Sequence, residues 1–132
     1  MKKIFNFVLT CALVVFVPAL AMAQMEELKK STPEERATML TKMMQSELSL
    51  DEKATTAVSD INLKYAKEAQ VLMDSSGTKF GKIMTFRKNG KAKDAELEGV
   101  LTPEQYSQYE QNKSAMQDTA KQKLKEKYQA TH

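Results

Sequence analysis

The run Leu101-Thr102-Pro103-Glu104-Gln105 is a helix start written in side-chain chemistry. The Thr102 hydroxyl is placed to accept from the backbone N–H three residues on, and the Gln105 side chain to accept in return from the N–H of Thr102. Pro103 falls at the first helical position, where its missing N–H costs nothing. Two further segments carry the same arrangement, Thr32-Pro33-Glu34-Glu35 and Leu48-Ser49-Leu50-Asp51-Glu52. Thr32, Ser49 and Thr102 are thus read as caps, with Glu35, Glu52 and Gln105 as their reciprocating partners. The acidic residues of these first turns also face the positive end of each helix dipole.

From these starts the apolar spacing is helical throughout, and no two-residue alternation competes with it. A first helix over about 33–47 places Ala37, Leu40, Met43 and Met44 on one face, with Leu48 following. A second, over about 50–73, repeats Leu50, Ala54, Ala57, Val58, Ile61, Tyr65, Ala69 and Leu72. A third runs from near Thr78 to Glu98 through Phe80, Ile83, Met84, Phe86, Ala95 and Leu97, with Asn89-Gly90 as a point where it could divide. Gly99 is read as the residue just past its end, and Leu101 as a staple onto Tyr106 of the fourth helix, about 103–128. Lys113 interrupts the apolar face of that last helix, whose final two turns are mostly Lys, Gln and Glu and are read as projecting into solvent or packing on a second chain.

The expected fold is all-α, with four helices as long antiparallel hairpins. Helices of roughly 20 residues span about 30 Å, while large apolar side chains are few. A thin, cradle-like open bundle suits this supply better than a thick core, as does a dimer in which two chains share their apolar faces. The expected organisation is a signal peptide over 1–23, a disordered mature N-terminus over 24–30, one helical domain over 31–128 and a frayed end over 129–132.

The signal is read from Lys2 and Lys3, the apolar run Ile4 to Leu20, and Ala21-Met22-Ala23 before Gln24. Cleavage after Ala23 would remove two of the 20 basic residues and none of the 17 acidic ones, leaving a net charge of +1. It would also remove Cys11, the one cysteine, so the mature chain would rest on core packing and helix ends without a disulfide. No second apolar run approaches a membrane span. The expectation is a periplasmic protein with no stable membrane insertion.

Much chemistry is disfavoured. The single histidine, His132, is the last residue, so a catalytic triad would need a terminal base. Gly77, Gly81, Gly90 and Gly99 make no phosphate-cradling pattern, and a near-neutral exported chain is a poor partner for nucleic acid. Glu34-Glu35 and Asp51-Glu52 are accounted for by capping. No enzyme activity, cofactor or metal is expected.

Leu101-Thr102-Pro103-Glu104-Gln105 resembles the L-T-x-x-Q signature of the Spy and CpxP-like periplasmic proteins, and Leu48-Ser49-Leu50-Asp51-Glu52, about 53 residues earlier, resembles a degenerate first copy. Ser49 and Glu52 stand there in place of threonine and glutamine. The resemblance spans about residues 31–115. It implies an ATP-independent chaperone or envelope-stress factor built as a thin dimer of long helices, in which Leu48, Leu101, Thr102 and Gln105 fix hairpin corners. Partners would be unfolded or partly folded envelope proteins. The alternatives are a structural adaptor for one envelope protein and a metal-responsive helical protein, the latter because thioethers suit Cu(I).

Between Ser75 and Lys93 lie six basic residues and no acidic one. Lys82, Arg87 and Lys88 are the candidates for steering a client, and Met43, Met44, Phe80, Ile83 and Phe86 for loose apolar contact. The competing interpretations are a solvated helix face for the lysines and ordinary core filling for the methionines.

Overall fold

The structure is a computed structural model that describes residues 30–131. The segments read from sequence as a signal peptide (1–23) and a mature N-terminus (24–30) lie outside the described residues, Lys30 excepted, as does His132. Four helices follow in order: α1 (Pro33–Leu48), α2 (Glu52–Asp74), α3 (Lys79–Val100) and α4 (Pro103–Ala130).

Two of the three predicted starts form as reciprocal capping boxes. At α1, the Thr32 hydroxyl accepts from the Glu35 N–H at 3.1 Å and the Thr32 N–H donates to Glu35 Oε2 at 3.0 Å. At α4, Thr102 and Gln105 repeat this with 3.1 Å in each direction. Thr78 caps α3, its hydroxyl accepting from the Gly81 N–H, and Gly77 before it holds φ +144°, a conformation that suits only glycine.

The third start is displaced. Ser49 does not cap α2; it ends α1 in the left-handed region at φ 51°. The N–H groups of Ser49 and Leu50 both turn back to the Gln45 carbonyl, a Schellman-type ending that brings Leu50 into the core beside Met44. Asp51 then becomes the cap, its carboxylate accepting from the Ala54 N–H at 2.7 Å, and Glu52 is the first helical residue rather than the reciprocating partner. The burial of Leu50 decides between the two caps. Ser49→Gly should therefore raise stability by about 0.5–1 kcal/mol, since glycine occupies this region without steric cost. Asp51→Ala should lower it by about 1 kcal/mol. Urea denaturation of both variants gives the opposite signs only if the cap sits at Asp51.

The third helix runs unbroken through Asn89-Gly90 and through Gly99. Gly99 is not the residue past its end: Leu101 closes α3 in extended geometry, its N–H still bonded to the Leu97 carbonyl. The reason lies downstream, where Thr102 precedes a proline and is held extended, and where Leu101 must point inward to be buried.

α1 packs antiparallel on α2, α2 on α3, and α4 returns to lie antiparallel along α1, while α3 and α4 meet only around their shared corner. The result is an open bundle in the contact order α3, α2, α1, α4. The final turns of α4 pack one side on α1 and expose the other. Ala120 and Leu124 are buried, and Lys127 and Tyr128 bond to Glu35 on α1.

The core lies where the two corners converge and consists of Met44, Leu48, Leu50, Val58, Leu97, Leu101, Tyr109 and Met116. Leu40, Met43, Ala54, Ile61 and Tyr106 pack against it. Met44 is wholly buried, which removes it from any client-binding surface; its sulfur instead receives a bond from Asn62 Nδ2 at 3.6 Å. Asn62 itself is buried in the α1–α2 interface and also donates to the Thr41 hydroxyl at 3.0 Å.

Candidate protein-binding surface

Each corner motif carries a third bond that the capping pattern alone does not require. Gln105 Nε2 donates to the Leu48 carbonyl at 3.4 Å, tying the start of α4 to the end of α1. A glutamate at this position could cap α4 but could not donate, because an ionised carboxylate only accepts. Glu35 shows the converse requirement. Its carboxylate accepts from the capped N–H, from Lys127 Nζ at 2.8 Å and from the Tyr128 hydroxyl. One side chain thus caps α1 and locks the far end of α4 against it.

These bonds hold the Glu35 carboxyl at about 2, with Lys127 the largest cause, then Tyr128 and the Thr32 N–H. Because the folded value lies below the ordinary glutamate value of 4.5, the stabilisation is complete above about pH 4.5. It is lost as pH falls from there towards about 2. The pair is partly exposed, so solvent screening keeps the contribution small. Glu35→Gln should flatten the acid limb of a stability–pH curve over that window, measured by urea midpoints from pH 7 to pH 2.5.

Two side-chain clusters brace the remaining interfaces. Arg36 on α1 donates to the Ser31 carbonyl at 2.6 Å and to Gln70 Oε1 on α2 at 2.9 Å. Burial draws its guanidinium pKa down. At the α3–α4 corner, Asp94 accepts from the Tyr109 hydroxyl at 2.7 Å and from Lys113 Nζ at 2.9 Å. Lys113, which breaks the apolar face of α4 in sequence, is there to meet this carboxylate. Neither cluster carries a local sequence signal, because its members lie 15 to 34 residues apart.

The first half of α3 is inverted relative to an ordinary amphipathic helix. Its inward side is polar: Lys82 is half-buried with Nζ donating to the Met73 carbonyl at 3.3 Å, and Asn89 and Lys93 are half-buried further along. Desolvation draws the Lys93 ammonium down to about 8, against the opposing pull of Asp94. Its outward side is apolar and then basic. Phe80 is 74% exposed, Met84 49% and Ile83 38%, and Arg87 and Lys91 continue the same face at i+7 and i+11 from Phe80. Lys88 flanks it, while Phe86, 48% exposed, lies on the side of Lys82, Asn89 and Lys93, and Val71 near the end of α2 is a further apolar side chain, 70% exposed.

Of the predicted contact residues, the structure places Phe80, Ile83, Arg87 and Lys88 on or beside the outer face of α3, and Phe86 half-exposed on the side of Lys82 and Asn89. Lys82 is turned inward, Met43 is half-buried against the core, and Met44 is inside it. Among the described residues Arg87, Lys88 and Lys91 make no ion pair with the protein. Met84 and Lys91 complete the face; the sequence signal for Lys91 is its spacing from Phe80.

Residues 21–109 match the family described as Domain of unknown function (DUF4890). The chain belongs to this family. The DUF4890 match takes in both corners and the whole of α3 and ends at Tyr109 on α4, so the exposed face lies within it. No curated protein and no solved structure matches the chain.

Other features of this DUF4890 chain offer less chemistry. A wide, open depression at the start of α2 is lined by Asp51, Glu52, Lys53, Thr56, Ala57 and Asp60, a set explained by capping and solvation. Among the described residues no three His, Cys, Asp or Glu side chains converge to hold a metal ion. No helix there is long and apolar enough to cross a membrane.

Proposed function

We propose that this protein is a periplasmic, ATP-independent chaperone or envelope-stress protein that holds unfolded or partly folded proteins on the outer face of α3. The observation that carries the reading is the inversion of that helix: Phe80, Ile83 and Met84 stand in solvent while Lys82 and Asn89 face inward. Leaving such side chains exposed forfeits roughly 25 cal/mol per Å² of apolar area, and contiguous apolar surface of this kind commonly marks an interaction site. Arg87, Lys88 and Lys91 beside it would draw in an acidic or extended segment before apolar contact forms. The resemblance of the α4 start to the L-T-x-x-Q signature of the Spy and CpxP-like proteins supports the same reading, with Gln105 serving both corners.

The test is suppression of aggregation against at least two unrelated denatured clients. Wild type should protect both at low salt and less at high salt. Arg87→Glu/Lys88→Glu/Lys91→Glu should slow capture several-fold and flatten the salt dependence, since exposed charges act by screened attraction. Helix content should be unchanged. Failure of wild type to protect any client overturns the proposal, and protection of a single one favours a dedicated adaptor.

A further inference from the structure

We infer that the α2–α3 hairpin tip docks on an anionic lipid surface. This partner differs from the protein clients proposed above, although the two share residues. The argument begins with position in the fold. α3 is an edge helix whose neighbour along its length is α2 and which meets α4 only around the corner at its far end. Its outer face is therefore convex and lines no groove. A convex apolar tip needs no matching groove to enter a bilayer interface, which yields around it.

The side chains are ordered along the axis as such docking requires. Val71, Phe80, Ile83 and Met84 lie at the turn end, all substantially exposed. Arg87, Lys88 and Lys91 follow as a basic collar, also exposed. Arg87 lies seven residues beyond Phe80, about 10 Å along the helix, a separation comparable with the depth to which interfacial helices bury their apolar side. With the tip entered to that depth, the collar stands at the level of the headgroup phosphates, where long basic side chains reach out of the apolar layer.

Charge complementarity selects the lipid. No acidic residue occurs from Ser75 to Lys93, so nothing on the collar repels phosphate. The flanking carboxylates are engaged within the protein: Asp74 accepts from Gln70 Nε2 at 3.0 Å, and Asp94 from the Tyr109 hydroxyl and Lys113 Nζ. The docking is peripheral, in keeping with the lack of a spanning helix among the described residues.

The experiment is cosedimentation of the chain from Gln24 onward with vesicles. That form retains every core residue of the helical unit, which all lie within 37–124, and omits the apolar run Ile4–Leu20, which would bind lipid by itself. Vesicles of phosphatidylcholine with about one third phosphatidylglycerol should bind the protein at low salt, and pure phosphatidylcholine vesicles should not. Each basic residue near the surface contributes roughly fivefold in affinity, so Arg87→Glu/Lys88→Glu/Lys91→Glu should weaken binding by more than 100-fold. Phe80→Asp/Ile83→Asp should abolish it with unchanged helix content. Equal binding to both vesicles, undiminished binding by either variant, or no binding to the anionic vesicles overturns the inference. The assay contains no client and the aggregation assay no lipid, so either proposal can fail alone. Protection of clients without vesicle binding assigns the tip to proteins.

Discussion

Leu97→Ala is expected to lower the free energy of unfolding by about 3 kcal/mol, the middle of the range for truncating a buried leucine. Leu97 has no exposed surface and is the one buried residue of α3. It packs in the same cluster as Met44, Leu48, Leu50, Val58, Leu101, Tyr109 and Met116. Among the α2–α3 contacts is the Lys64–Glu96 pair, at 2.7 Å and partly exposed, and exposed pairs of this kind contribute little. Leu97 is therefore the main apolar anchor of α3. In a domain of about 100 residues the loss should move the thermal midpoint down by roughly 15 °C. Phe80→Ala on the same helix should change stability by less than about 0.5 kcal/mol, because Phe80 is mostly in solvent. Urea denaturation followed by circular dichroism compares the two, and equal costs would refute this placement of the core.

The second large effect is at the α3–α4 corner. Asp94→Ala should cost about 2 kcal/mol, because it strands the Tyr109 hydroxyl without its acceptor and leaves Lys113 without its counter-ion. Tyr109 is almost wholly buried, and both burial and the bond to Asp94 push its phenol well above the ordinary tyrosine range. Removing the hydroxyl as well should recover part of the loss, since a buried donor without a partner costs more than no donor at all. The double variant Asp94→Ala/Tyr109→Phe should thus be less destabilised than the sum of the single variants, with a coupling of about 1 kcal/mol. Strict additivity would show that the hydroxyl finds water in place of Asp94.

The pattern of caps and apolar repeats determined that the described residues form four helices in sequence, and it located the starts at Thr32 and Thr102 to the residue. Those features were legible because a helix terminus is a local object. The groups that satisfy its N–H donors lie within three residues, and a proline at the first position leaves little choice of backbone. The run of six basic residues without an acid around Phe80, Ile83 and Phe86 was equally legible as a candidate surface, because composition needs no partner to be read.

Tertiary structure decided everything that depends on a contact across tens of residues. Ser49 and Asp51 are both competent caps, and the box pattern with Glu52 favours Ser49. The burial of Leu50 against Met44 settles the start at Asp51 and turns Ser49 into a left-handed ending for α1. Gly99 resembles a helix terminator, but Leu101 must reach the core, and the helix continues to Val100. Met44 and Phe80 both lie on apolar repeats, yet one is enclosed and the other left in solvent. The difference is that α1 lies between α2 and α4, while α3 has a neighbour on one side only. Periodicity names the face of a helix that is apolar; the number of neighbours a helix acquires determines whether that face is covered.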